Sequence, residues 1–201
     1  MNRRWFWTGM GLFVGILLSA AWWFSTPYEL RGSVLDPAPD APDFQLTRAD
    51  GRLFHLAQER GKINLLFFGY TNCPDVCPAT LGEMKKIYER LGADASAVNV
   101  VFITVDPQRD TAQRLDTYTQ AFDPHFIGLT GGEQELSTVW SDYGVFREVT
   151  TGDTALGYLI SHTARVYLVD RFGRLRLTYA FGTPVDDIFS DLKYLLKEKS
   201  E

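Results

Sequence analysis

The chain has 201 residues, 45% hydrophobic and 22% charged, with 20 basic against 25 acidic side chains and a net charge of −5. This profile suits one globular domain with a real core and excludes a disordered or low-complexity chain. The acidic balance disfavours nucleic acid and anionic lipid as partners.

The first elements break that profile. Trp5 to Phe24 is a run of twenty residues without a charge, and at about 1.5 Å per residue a helix of this length spans a hydrocarbon core roughly 30 Å thick. Arg3 and Arg4 precede it, so the positive-inside rule puts the remainder of the chain across the membrane. Residues 1–25 are expected to be a single-pass anchor in the inner or cytoplasmic membrane, with the C-terminal domain on the periplasmic, exported side. A cleaved signal sequence ending near Ser19-Ala20-Ala21 is the rival reading. Residues 26–42 are rich in proline and lack periodicity, which predicts an extended, polar linker. A domain over 43–201 follows.

Within that domain, "DFQLTRADGRLFHLAQ" (43 to 58) sets two alternating apolar stretches around Asp50-Gly51, a hairpin signal. "INLLFFGY" (63 to 70) predicts a strand buried on both faces, and "PATLGEMKKIYERLG" (78 to 92) a helix. "VNVVFITV" (98 to 105) is a second buried strand. A helix over 110–122 follows, with Asp110 and Gln113 spaced as a capping box. A shorter helix is expected over 133–145, then a hairpin pairing 164–170 with 174–181. The closing helix, 183–199, has Thr183 as its expected cap and Pro184 in its first turn. A βαβα half followed by a hairpin and a helix is an α/β, thioredoxin-like and peroxiredoxin-related architecture, with an N-terminal β-hairpin and an N-terminal transmembrane helix added.

Both cysteines of the chain lie in "FGYTNCPDVCPATL" (68 to 81), where the first buried strand gives way to a helix. A thiol placed there feels the positive end of the helix dipole, which lowers its pKa and makes Cys73 the reactive member. A structural disulfide to Cys77 would close so short a loop that it removes little chain entropy. A redox couple and a pair of metal ligands both remain open. Thioredoxin-type enzymes use C-x-x-C and a cis-proline before the third core strand. Here the spacing is C-x3-C, and the loop before "ARVYLVD" has no proline but offers Ser161-His162-Thr163. Two soft sulfurs and one imidazole would suit copper or zinc, and a closed zinc shell would need a fourth ligand. His55 and His125, the other imidazoles, read as surface residues.

These blocks, "FGYTNCPDVCP", "VFITVDPQRDT", "LTGG" and "SHTARVYLVD", resemble the Sco/SenC family over about residues 40 to 197. These are membrane-anchored, thioredoxin-fold, copper-binding proteins that serve assembly of cytochrome c oxidase. The resemblance implies that Cys73, Cys77 and His162 are metal ligands, that the cargo is copper as Cu(I) or Cu(II), and that the protein is a metallochaperone. The partner so implied is the copper-site subunit of the oxidase, subunit II, or another copper chaperone. The rival reading is a thiol-disulfide reductase in which Cys73 and Cys77 are the catalytic redox pair. A peroxidase fits less well, because that class uses T-x-x-C and Thr71 lies only two residues before Cys73. Ser161 and Asn72 stand where the family usually has an acidic residue and commonly a histidine, so a carboxylate beside the metal histidine is missing. Asp106 and Asp110 read as helix caps, with an acidic docking surface or an outer copper contact as the minority view.

Overall fold

A computed structural model describes residues 28–150 and 157–198. The apolar run from Trp5 to Phe24, and with it the predicted anchor, lies outside the described residues. Among the described residues no helix is long and apolar enough to cross a membrane.

The strands are β1 (Ser33–Val34), β2 (Gln45–Thr47), β3 (Leu53–His55), β4 (Ile63–Gly69), β5 (Val98–Thr104), β6 (Ile127–Leu129), β7 (Arg147–Thr150), β8 (Leu159–His162), β9 (Arg165–Val169) and β10 (Leu175–Ala180). The helices are α1 (Val76–Leu91), α2 (Ala112–Gln120), α3 (Glu133–Asp142) and α4 (Val185–Leu195). Six strands form the central sheet in the order β1-β10-β9-β4-β5-β6. β4, β5 and β6 run parallel, β9 lies antiparallel beside β4, and β10 pairs antiparallel with β9.

Every residue of β4 and β5 is buried, as their unbroken apolar runs require of strands covered on both faces. Phe67 packs near Phe102, whose ring meets Tyr118 of α2, whereas the Phe68 ring meets Tyr143 at the end of α3. Neighbouring side chains of β4 thus feed opposite layers of the core. α1, which holds Cys77 in its first turn, packs beside α4, and an Arg90–Asp186 ion pair joins them at 2.6 Å.

The predicted β2–β3 hairpin pairs Leu46 with Phe54 and turns through Gly51, whose φ of 77° suits glycine. Four expectations need correction. Residues 28–42 are extended but do not hang free: β1 adds to the edge of the sheet beside β10, and the Leu175 N–H donates to the Pro39 carbonyl at 2.9 Å. The cap of α2 is Thr111, whose hydroxyl accepts from the Arg114 N–H at 3.2 Å; Asp110 is buried and bonded elsewhere. The residue before α4 is Pro184, while the Thr183 hydroxyl donates back to the Ala180 carbonyl at 2.8 Å. Finally, Ser161 and His162 lie in β8 rather than in a loop, paired with β7 as a hairpin that the short, polar stretch 147–162 did not announce.

Candidate metal centre

β4 ends at Gly69 in the middle of the molecule. The chain then turns through Tyr70 to Asp75, with the Cys73 N–H donating to the Tyr70 carbonyl at 3.2 Å, before α1 begins. Cys77 falls in the first turn of α1 and is fully buried, while Cys73 is half-buried at the rim. Gly69 makes the room for the inner sulfur. A Cβ there would lie 2.8 Å from Cys77 Sγ and 2.8 Å from the Phe102 ring, closer than atoms of those sizes pack.

From the other side of the cleft, β8 brings in His162. Its Nε2 stands 3.6 Å from Cys77 Sγ, and the ligand atoms of Cys73, Cys77 and His162 all lie within 4.8 Å of one another. The ring's Nδ1 faces the Thr163 carbonyl at 3.2 Å. A carbonyl only accepts, so Nδ1 donates there, which leaves Nε2 as the nitrogen that faces the sulfurs. The rings of Tyr70 and Phe67 meet the imidazole edge-on, at centroid distances of 5.8 and 6.4 Å.

Both cysteines are thiols rather than a disulfide, and their environments split them. A hydrogen bond from the Cys77 thiol holds Cys73 well below the ordinary thiol range, with help from His162 and from the backbone N–H groups of Asp75 and Cys77. Cys77 moves the opposite way, because it donates to Cys73 and is buried. The pair therefore shares one proton, with the charge on the outer sulfur.

Two sulfurs and one nitrogen make a soft set suited to copper, or to zinc with a further ligand. Among the described residues no carboxylate or second imidazole joins the cluster. His125 is exposed beside Asp123 at 2.9 Å, and His55 is paired with Asp43 at 2.6 Å, so the surface reading of both agrees with their place. The missing acid at Ser161 leaves no gap on the imidazole: Ser161 is exposed, on the opposite side of β8 from its neighbours, and the Thr163 carbonyl already serves Nδ1. Asn72 accepts from Arg114, which also donates to the Thr71 hydroxyl.

Asp106 and Asp110 are not caps. Asp110, 1% exposed, accepts from the Thr71 N–H at 3.1 Å, the Thr71 hydroxyl at 2.5 Å and the Thr104 hydroxyl at 2.8 Å. It thereby fastens the cysteine turn to the end of β5. Burial raises its pKa while those bonds pull it back. Asp106 is bonded to Arg109 and Tyr158. The parts that sequence reasoning missed are Gly69, Tyr70 and Tyr158, none of which carries a composition or spacing signal for a metal site.

The chain matches the SCO1/SenC family over residues 34–197. It is 36% identical over 152 residues to an SCO2-like protein of Rickettsia felis, covering 75% of this chain and 74% of that one. Among solved structures, Bradyrhizobium japonicum ScoI with copper bound is 38% identical, with a TM-score of 0.72 and coverage of 78% of this chain and 99% of that one. Apo Sco1 of Thermus thermophilus is 36% identical, with a TM-score of 0.75 and coverage of 86% and 100%. Together with the thioredoxin-like sheet order and the convergence of two sulfurs and an imidazole, these matches establish that the chain belongs to the SCO1/SenC family.

Proposed function

We propose that the protein carries copper, held by Cys73, Cys77 and His162, and passes it to the copper site of cytochrome c oxidase during assembly. The observation that carries this reading is the three donor atoms gathered within 4.8 Å, with His162 Nε2 3.6 Å from Cys77 Sγ. The similar ScoI of Bradyrhizobium japonicum is known with copper bound. The lowered pKa of Cys73 favours its thiolate, and Cys77 gives up its proton when the metal enters. Cu(I) accepts two or three ligands, so incoming thiolates of an acceptor can replace these donors one at a time. The apolar run at Trp5 to Phe24 and Arg3–Arg4 before it support a membrane anchor, with this domain on the exported side.

Anaerobic titration of the reduced protein with Cu(I) tests the reading. One equivalent should bind tightly to the wild type, and Cys73→Ser, Cys77→Ser and His162→Ala should each weaken that binding sharply. Unchanged affinity in all three variants would overturn it.

The unequal thiols favour a second reading, thiol-disulfide reduction of the acceptor. The Cys73 thiolate would attack an acceptor disulfide and release one acceptor thiolate. Cys77, giving up its proton, would then attack the mixed disulfide, leaving a reduced acceptor and a Cys73–Cys77 disulfide that an external dithiol must reduce. His162→Ala separates the two readings, since it should abolish tight copper binding but leave disulfide reduction largely intact.

A further inference from the structure

The β7–β8 hairpin, which carries His162, belongs to no larger sheet among the described residues. Its His162 end is tied to the central sheet through Thr163 and Ala164, which lead into β9, while the rest is held mainly by side chains around one loop, Val105 to Arg109, at the end of β5. Asp106 is fully buried there, with its own N–H donating to the Thr104 hydroxyl at 2.8 Å. Its carboxylate accepts from Arg109 and, at 2.6 Å, from the Tyr158 hydroxyl. Arg109 in turn donates to the Tyr158 carbonyl at 2.9 Å and lays its guanidinium 3.6 Å from the centre of the Tyr158 ring. Tyr158 is thus held at its hydroxyl, its ring and its carbonyl. Across the hairpin, Arg147, which pairs in register with His162, donates to the Val105 carbonyl. Midway along β8, the Ile160 N–H donates to the Tyr70 hydroxyl at 3.2 Å.

We propose that Asp106, Arg109 and Tyr158 are positioning residues that set the His162 imidazole against the two sulfurs, and so govern how tightly the site holds a soft cation without touching it. The inference rests on the three-donor reading above. From Tyr158 the chain runs four residues to His162, about 13 Å at ~3.3 Å per residue, and an extended strand tied to the sheet at its His162 end keeps its tilt over the cysteines only while its Tyr158 end is also held. A ligand misplaced by an ångström loses its bond to the ion, whereas the two cysteines, one in the turn after β4 and one in the first turn of α1, keep their places. Loss of the clamp should therefore convert a three-donor site into a two-donor one. It also gives the "VDPQRD" loop a part in holding the metal site.

The test uses the reduced full-length protein, Cu(I) and a competing chromophoric Cu(I) chelator. Tyr158→Phe removes the bond to Asp106 but keeps the ring under the guanidinium; Arg109→Gln removes the clamp on the carbonyl. Each variant is made in the wild type and in a His162→Ala background. The expected result is a weakening of roughly 10- to 100-fold for Arg109→Gln, a smaller one for Tyr158→Phe, and no further loss for either change once His162 is gone. A shift of the His162 ring resonances in metal-free Tyr158→Phe, whose fold should be unaffected, is the companion readout. Wild-type affinity in both variants, or equal losses with and without His162, would overturn the inference and leave the three-donor site standing. If His162→Ala alone costs no affinity, the three-donor reading falls and the inference falls with it.

Discussion

At the scale of single residues, the site depends on how one proton is shared between two sulfurs. Cys73 receives a hydrogen bond from the Cys77 thiol and faces the open first turn of α1, so its charged form is favoured and its pKa lies well below the ordinary range. The depressed pKa means that the thiolate survives as pH falls. Alkylation of Cys73 in the reduced protein should stay nearly level from pH 8 to pH 6, where a thiol of ordinary pKa, ~8.5, slows about tenfold per pH unit. A rate that falls in that ordinary way would contradict the assignment of the charge. The residue that gives the inner sulfur its place has no side chain at all. Gly69→Ala would drive a methyl group into Cys77 Sγ and Phe102, and overpacking of this kind costs about 1–3 kcal/mol. Thermal unfolding should show that loss, and Cu(I) affinity should fall with it, because Cys77 must shift to relieve the contact.

At the scale of elements, the cysteine turn, the end of β5 and the start of α2 act as one unit because Asp110 bonds across them. Spacing assigned this aspartate to the cap of α2. The structure gives the cap to Thr111 and uses Asp110 to satisfy Thr71 and Thr104. The two residues should therefore respond differently to alanine. Thr111→Ala removes a cap exposed to water and costs about 1 kcal/mol. Asp110→Ala leaves buried donors on two elements without an acceptor, at about 1–3 kcal/mol for each buried group so stranded, and frees the turn that bears Cys73. Chemical denaturation should rank Asp110→Ala as clearly the more harmful; equal effects would mean that Asp110 does not tie the turn.

At the scale of the whole molecule, the segment entering the domain is part of its structure. Asp191 of α4 is fully buried. It accepts from the Tyr28 hydroxyl at 2.8 Å, the Arg31 and Gly32 N–H groups at 3.0 Å, and the Tyr179 hydroxyl at 3.0 Å. Tyr28 also stacks on Tyr194 at 4.5 Å. Asp191→Ala should cost about 3 kcal/mol, lowering the melting temperature by about 6–12 °C. Hydrogen exchange at Arg31, Gly32 and Leu35 should accelerate well before exchange in β4 and β5. Uniform acceleration across the sheet would show that the strap is not a separate unit.

Local sequence specified the buried parallel strands, the hairpins at Gly51 and Gly173 and the helix behind Cys77. Each of these follows from local periodicity, turn chemistry or a contiguous motif, which neighbouring residues specify without reference to the remainder of the chain. Long-range packing alone docks residues 28–42 on the sheet edge, turns Asp110 from a helix cap into the tie of a turn, and brings Tyr158, beside the hairpin that bears His162, against Asp106 and Arg109. Cys77 and His162 are 85 residues apart, and their partners are equally distant. Which polar group a buried aspartate or arginine meets is settled by how the layers pack, because the cost of leaving such a group unpaired is felt only once water has been excluded.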